Sequence, residues 1–173
     1  MDAVITRLDA AEVRAREAEL VDILVDCVDD GASVGFLPPL PLAEARAYWH
    51  AAADAIADGS RVLLVAAAPD TPADGTVQLD LSTRPNGRHR AEVVRLLVHR
   101  RARRRGLARA LMQAIEAEAR QRGRTTLVLD TRHGDPSEAL YQSLGWQRAG
   151  VIPRYAQSAS GALDASAFYF KLV

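Results

Sequence analysis

The chain has 173 residues, 49% of them hydrophobic, and its 22 Lys and Arg residues are balanced by 22 Asp and Glu. That length supports one domain, 1–173, with a substantial core, and formal neutrality speaks against a surface given over to nucleic acid. The single cysteine, Cys27, excludes an intrachain disulfide and a cysteine-rich metal site. No uncharged apolar run approaches the roughly 20 residues that span a bilayer, and the charges spread through the N-terminal segment argue against a signal peptide, so the expected location is cytoplasmic.

Val4–Leu8 reads as a first strand, and Asp9 is a candidate N-cap for a helix from Ala10 to about Asp29, with Val13, Leu20, Leu24 and Val28 on one face. Cys27 lies near that face as a small buried thiol with nothing nearby to activate it. Gly31–Pro41, GASVGFLPPLP, is an unusually apolar loop and is expected to pack over something. A second helix spans Leu42–Ala57, started by Pro41 and stopped by Gly59; Tyr48 and Trp49 within it suit core packing or an acceptor pocket formed with the preceding loop.

Arg61–Ala68 is a nearly continuous apolar strand. Thr76–Thr83 alternates, with Val77, Leu79 and Leu81 on one face and Gln78, Asp80 and Ser82 on the other, which predicts a half-buried strand. Pro85-Asn86-Gly87 turns the chain into a strand over Arg90–Val98. After an arginine-rich turn ending at Gly106, Leu107, Leu111, Ile115 and Ala119 recur every fourth residue and predict an amphipathic helix. Thr125–Thr131 is a strand, Pro136–Leu144 a helix with Asp135 as candidate N-cap, and Trp146–Ile152 and Ala167–Val173 are strands flanking a loop over Pro153–Asp164. The expected class is α/β with a mixed sheet, in the order β-α-α-β-β-β-α-β-α-β-β.

The joint between the Arg90–Val98 strand and the following helix carries the chemistry. Amide N–H groups in a first helical turn lack intrahelical partners and add to the helix dipole, which makes an anion site. Gly106 lets the backbone approach an anion, and Arg103, Arg104 and Arg105 add charge. Without more context, the same run reads as a solvated helix start, or as phosphate contacts to a nucleic acid; chain neutrality weighs against the latter.

Arg103-Arg104-Arg105-Gly106-Leu107-Ala108 resembles the acyl-CoA-binding pattern of the Gcn5-related N-acetyltransferases, Arg or Gln, two residues, Gly, one residue, then Gly or Ala. The resemblance implies that this turn holds the coenzyme A pyrophosphate, and that the pantetheine arm lies along Leu97 and Val98, where the family's sheet splays between the strands assigned to Arg90–Val98 and Thr125–Thr131. The sequence departs from the commonest form at Arg100, where Pro is frequent, at Arg104, where Gly is frequent, and at Ala108, where a second Gly is frequent. Arg104 would carry strain if its backbone adopts positive φ. GASVGFLPPL, Arg84-Pro85-Asn86-Gly87, AEVVRLLV, LVLDT, Ala139-Leu140-Tyr141 and Tyr169-Phe170-Lys171 also resemble segments of a narrower group, the acetyltransferases of the tabtoxin-resistance type, which acetylate a β-lactam amino-acid toxin.

Acetyl transfer from a thioester to an amine needs a neutral nucleophile, stabilisation of the developing oxyanion and a proton for the departing thiolate. The resemblance implies direct transfer without a covalent enzyme intermediate. Glu92 is the first candidate base, with an ordinary strand-end ion pair to Arg90 as the alternative. Asp130 is the second candidate, to orient the acceptor ammonium or take its proton, or simply to cap the next turn. Tyr141 is assigned as donor toward the coenzyme A sulfur; the alternative is a packed ring with its hydroxyl bonded to backbone. Phe36, Trp49 and Tyr155 are candidate acceptor contacts, and His89 and His133 candidate relays, with no third group at metal-ligand spacing. The expected function is an acetyl-CoA-dependent N-acetyltransferase of a small amine, a homodimer using no metal, nucleic acid or membrane. The alternatives are peptide or protein acetylation and a noncatalytic acyl-CoA sensor or scaffold.

Overall fold

The computed structural model describes residues 3–173. Val4–Leu8 forms β1, and Asp9 caps the helix after it: its carboxylate accepts from the Glu12 amide while the Glu12 carboxylate accepts from the Asp9 amide, both at 2.8 Å. The one helix expected over Ala10–Asp29 is two, α1 (Ala10–Ala15) and α2 (Glu17–Asp29), because Arg16 leaves helical geometry at φ −101° and ψ 17°. Arg16 pairs with Glu19, whose carboxylate also accepts the Ala73 amide at 2.6 Å, so the break ties the helix start to a distant loop.

α3 spans Leu42–Ala57, β2 Arg61–Ala67, β3 Gly75–Leu81, β4 Arg90–Val98, α4 Leu107–Gln121, β5 Thr126–Arg132, α5 Ser137–Ser143, β6 Gln147–Gln157 and β7 Leu163–Leu172. The strands form one seven-stranded sheet in the order β1-β2-β3-β4-β5-β7-β6, antiparallel throughout except where β4 meets β5. Helices cover both faces. Leu111, Met112 and Ile115 of α4 pack with Leu64, Val77 and Leu79, while α1, α2 and α3 bury Leu24, Val28 and Trp49 with Leu63, Val65 and Leu97 on the opposite face. The successive residues Leu63, Leu64 and Val65 therefore enter different cores, which is why β2 reads as a continuous apolar run.

The same sandwiching corrects the reading of β3 as half-buried. Thr76 and Gln78 are fully buried on the side that alternation assigns to solvent. Gln78 is half satisfied there: its Oε1 accepts from the Tyr48 hydroxyl at 3.0 Å, while its Nε2 is buried without a partner among the described residues. A further correction concerns the C-terminal hairpin: β6 runs on through Pro153 to Gln157, and the expected long loop shrinks to the turn after it. Pro153 is tolerated because β6 is an edge strand and its register with β7 shifts between Ile152 and Ala156. Among the described residues, no helix is long and apolar enough to cross a membrane.

Candidate active site

The parallel neighbours β4 and β5 pair only over Arg90–Glu92 with Thr126–Val128, whereas β5 stays paired to β7 as far as Arg132. Beyond Glu92 and Val128 the facing edges part. A bulge in β4 accompanies the divergence: Thr76 is opposite Leu97 and Gln78 opposite Val94, so Arg95 and Leu96 together face Val77. Arg95 has φ +52°, and its carbonyl accepts from the Thr76 hydroxyl at 3.2 Å. The wedge leaves strand N–H and C=O groups without ladder partners, which suits a ligand that carries amides of its own.

A cavity of about 340 Å³ lies at this opening, lined by Glu92 and Arg95 of β4, Asp130 of β5, Tyr141 of α5, Tyr155 of β6 and the Ala32–Gly35 stretch of the apolar loop. The alternative reading of Glu92, a strand-end ion pair with Arg90, is not seen among the described residues: its carboxylate pairs with no cation within bonding distance. Partial burial between the strands holds its pKa above the ordinary glutamate value, the charges of Asp130 and Asp80 push it the same way, and Arg95 opposes them. Glu92 fronts the cavity and is exposed by area, and desolvation acts on it together with the two like charges. Tyr141 is buried beside Trp146 and Tyr169, with ring centroids 6.3 and 6.0 Å away. Burial first, then Asp135 and Asp130, drives its phenol pKa strongly upward, so the hydroxyl stays protonated. No backbone hydrogen bond claims that hydroxyl among the described residues.

The arginine run is divided by its partners. Arg100 donates to Asp26 at 2.7 Å, Arg101 to Asp74 at 2.9 Å, and Arg103 pairs with Asp30 and donates to the Val98 carbonyl. These arginines fasten the turn to α2 and to the loop before β3. Arg104 and Arg105 form no ion pair among the described residues and remain available to an anion. Arg104 sits at φ +61° and Gly106, the residue before α4, at φ +78°; the strained left-handed backbone expected at Arg104 is therefore present. A second cavity of about 240 Å³ lies here between Val98, Arg104, Gly106, Ala108 and Leu140. Leu97 is buried in the core, whereas Val98 lines that cavity.

The other expected acceptor contacts scatter. Tyr155 lines the first cavity and stacks edge-on against Phe168 at 5.1 Å. Phe36 does not line this cavity; it lies T-shaped against Tyr48 at 5.6 Å, with the guanidinium carbon of the cavity-lining Arg95 5.5 Å from its ring centroid. Trp49 is 1% exposed, a core residue rather than a pocket wall, because its position on α3 faces the sheet. His89 is exposed and contributes its carbonyl to Thr125 and Thr126, while His133 bonds Glu138 at 3.1 Å, and neither is among the residues lining the cavity. Arg95 was missed by sequence reasoning; its only signal is a charge in the middle of the apolar run Val93–Val98.

A family model described as the acetyltransferase (GNAT) family matches residues 18–146. The chain belongs to the GNAT family. Its fold is that of other GNAT proteins: a ribosomal-protein-alanine N-acetyltransferase from Brucella melitensis is 24% identical with a TM-score of 0.79, the alignment covering 98% of this chain and 99% of that one. An N-acetyltransferase from Staphylococcus aureus Mu50 is 19% identical with a TM-score of 0.82, covering 99% of each chain. A phosphinothricin acetyltransferase from Sinorhizobium meliloti, solved with acetyl-CoA, is 19% identical with a TM-score of 0.80, covering 100% of this chain and 89% of that one.

As a GNAT acetyltransferase the protein moves an acetyl group from acetyl-CoA to an amine, the thioester supplying an activated acyl group and a thiolate that can leave. The residues present fit that cosubstrate. Unpaired strand edges would suit an amide-bearing arm, and a left-handed turn with two unpaired arginines leads into the α4 N-terminus, where a Cβ on Gly106 would meet nothing within 4 Å. Among the described residues no group of three or more His, Cys, Asp or Glu is arranged to hold a metal ion.

Proposed function

We propose that this protein acetylates the primary amine of a small, amino-acid-like molecule by direct transfer within a ternary complex. The observation carrying the proposal is that Glu92, Asp130 and Tyr141, from three separate elements, line one cavity at the parting of β4 and β5. Glu92 takes the amine proton, helped by a pKa held above the ordinary glutamate value, and Asp130 holds the ammonium before that step. As the nitrogen–carbon bond forms and the carbon–sulfur bond breaks, the Tyr141 hydroxyl donates a hydrogen bond to the departing sulfur. Its strongly raised pKa makes it a charge-stabilising donor more than a source of free protons.

Val98 and the backbone at Leu97 receive the amide-bearing arm, and the turn from Arg103 to Ala108 receives the pyrophosphate. Within it Arg103 contributes through its main chain, since its guanidinium is taken up by Asp30, and Arg104 and Arg105 contribute charge. Segment resemblance to the tabtoxin-resistance type puts β-lactam amino acids, and hence antibiotic resistance, first among acceptors. The protein works as a homodimer built on β6, an edge strand with nearly every residue exposed, including Val151 at 39% and Ile152 at 46%.

The test is an acetylation screen in which amino acids, β-lactam amino acids, aminoglycosides, polyamines and peptide N-termini are offered with acetyl-CoA. Product mass and free thiol are followed together. Turnover confined to peptides would overturn the small-amine reading, and tight acetyl-CoA binding without transfer to any amine would favour a sensor.

A further inference from the structure

We infer that Arg95 binds an anionic group, a carboxylate or a close isostere, on the acceptor, so that the preferred substrates carry their amine and an anion in one small zwitterion. The inference rests on the cavity at Glu92 being the acceptor site. Three carboxylates line that cavity, those of Glu92, Asp130 and Asp135, and Arg95 is its single cationic lining residue among those described. A cavity with that charge pattern attracts an ammonium at one place and an anion at another.

The state of the Arg95 side chain points the same way. Its guanidinium makes no hydrogen bond and no ion pair among the described residues, and its Nε is buried with no partner. Such a donor is costly to leave unmet. The group is held in place by rings instead: its carbon lies 5.5 Å from the Phe36 centroid and 5.1 Å from that of Tyr48. Tyr48 is fixed in turn by its hydrogen bond to the buried Gln78. The two rings, perpendicular to one another, restrain the guanidinium without claiming any of its N–H groups, so these remain to be met by a carboxylate.

The neighbouring backbone leaves room for this. Gly35, which lines the cavity at φ +84°, passes so close that a Cβ there would stand 3.2 Å from Arg95 Nη2. Arg95 itself occupies a positive φ of 52° that a residue with a side chain adopts at a cost, and strain of this kind collects at ligand-binding positions. A structural clip between the loop and α3 would need neither the strained backbone nor an unmet donor.

Seating an anion on Arg95 also bears on the chemistry. Arg95 supplies the one positive charge that opposes the upward shift of Glu92, so an anion paired with it screens that charge and makes Glu92 a stronger base once the acceptor is bound. A polyamine would do the reverse, adding a cation beside Arg95 and leaving the guanidinium unpaired.

The experiment compares L-serine, L-methionine and L-phenylalanine with their carboxamides as acceptors, in the wild type and in Arg95→Met and Arg95→Lys. The wild type should favour the free carboxylates by about 10- to 100-fold in kcat/KM, mostly through KM, the range of a hydrogen bond to a charged group. Arg95→Met should collapse that ratio toward one, and Arg95→Lys should restore part of it. Should Arg95→Met not fold, wild-type inhibition decides: N-acetyl-L-methionine should compete with the acceptor far better than its carboxamide does. Carboxamides used as well as free acids, or a preference that survives in Arg95→Met, would overturn the inference while leaving the small-amine function standing. Failure of every small amine would remove that function and the inference with it.

Discussion

Glu92 is the last residue of β4 that pairs with β5, opposite Val128, and beyond this pair the two parallel strands separate. The carboxylate therefore stands at the apex of the wedge, where strand order still fixes it and the opening gives an acceptor access. Glu92→Gln should lower kcat about 100-fold or more near neutral pH, the range of general-base contributions. It should regain activity as pH rises and the acceptor amine deprotonates in bulk. A variant as active as the wild type at pH 7 would reassign the base.

The pH profile offers a separate check. Asp130 helps to hold the Glu92 pKa above the ordinary value of 4.5, so the acid limb of kcat/KM should lie above that pH and move down in Asp130→Asn. Stability runs the opposite way from activity. A carboxyl whose folded pKa is raised contributes stability that is present below its unfolded pKa and is lost as pH climbs through the folded value. At pH 7, then, Glu92→Gln should have a Tm equal to or above that of the wild type, which thermal unfolding will show.

Tyr141→Phe keeps the ring against Trp146 and Tyr169 and removes only the donor. A fall in kcat of about tenfold or more, with acetyl-CoA affinity and Tm unchanged, is expected for a group that acts as charge develops on sulfur. Equal kcat in matched assays would return Tyr141 to a packing role.

At the phosphate turn the cost of substitution is conformational. Gly106→Val meets no steric obstacle at Cβ, but valine resists φ +78°, so the turn should shift and calorimetry should show weaker acetyl-CoA binding in a protein that remains folded. In Arg104→Gly, relief of about 1 kcal/mol of backbone strain is offset by a similar gain in unfolded-chain entropy. Its Tm should barely change while acetyl-CoA affinity falls with the lost charge. Undiminished binding in both variants would move the pyrophosphate elsewhere.

A buried network holds α4 against the end of the sheet. Glu116, 4% exposed, accepts from Trp146 Nε1 at 2.9 Å and from Lys171 Nζ at 2.7 Å. Glu116→Ala leaves both donors without that partner and should cost about 3 kcal/mol, a Tm drop of about 6–12 °C. Glu116→Gln, which keeps an acceptor for Trp146, should lose less.

Elements punctuated by local chemistry were legible in the sequence. α3 lies between Pro41 and Gly59, and β4 follows the Asn86-Gly87 turn; both match their expected bounds. The α1–α2 break was hidden because Val13 and Leu20, one heptad apart, stay in helical phase across the charged Arg16 and Glu17, and the break is tied to Glu19 reaching Ala73, far along the chain. Thr76 and Gln78 looked solvent-facing because alternation reports polarity, whereas burial on β3 depends on a second helical layer that supplies Tyr48 as a partner. At the site, motif and strand ends single out Glu92, Asp130 and Tyr141, which the fold brings to one cavity. The bulge at Arg95 could not, since the pairing of two residues against Val77 exists only in the assembled sheet. Trp49 and the histidines fall outside the cavity lining for the reverse reason: chemically suitable side chains carry no mark of the direction in which the fold will point them.

The most direct measurement of the central claim is acceptor-dependent acetyl transfer to a free amino acid, with acetylated product counted by mass against thiol released. Equal amounts of the two, saturation in both acetyl-CoA and amino acid, and loss of both signals together in Glu92→Gln at neutral pH are the expected result. Thiol release without acetylated amine, or equal transfer by the wild type and Glu92→Gln, would contradict it.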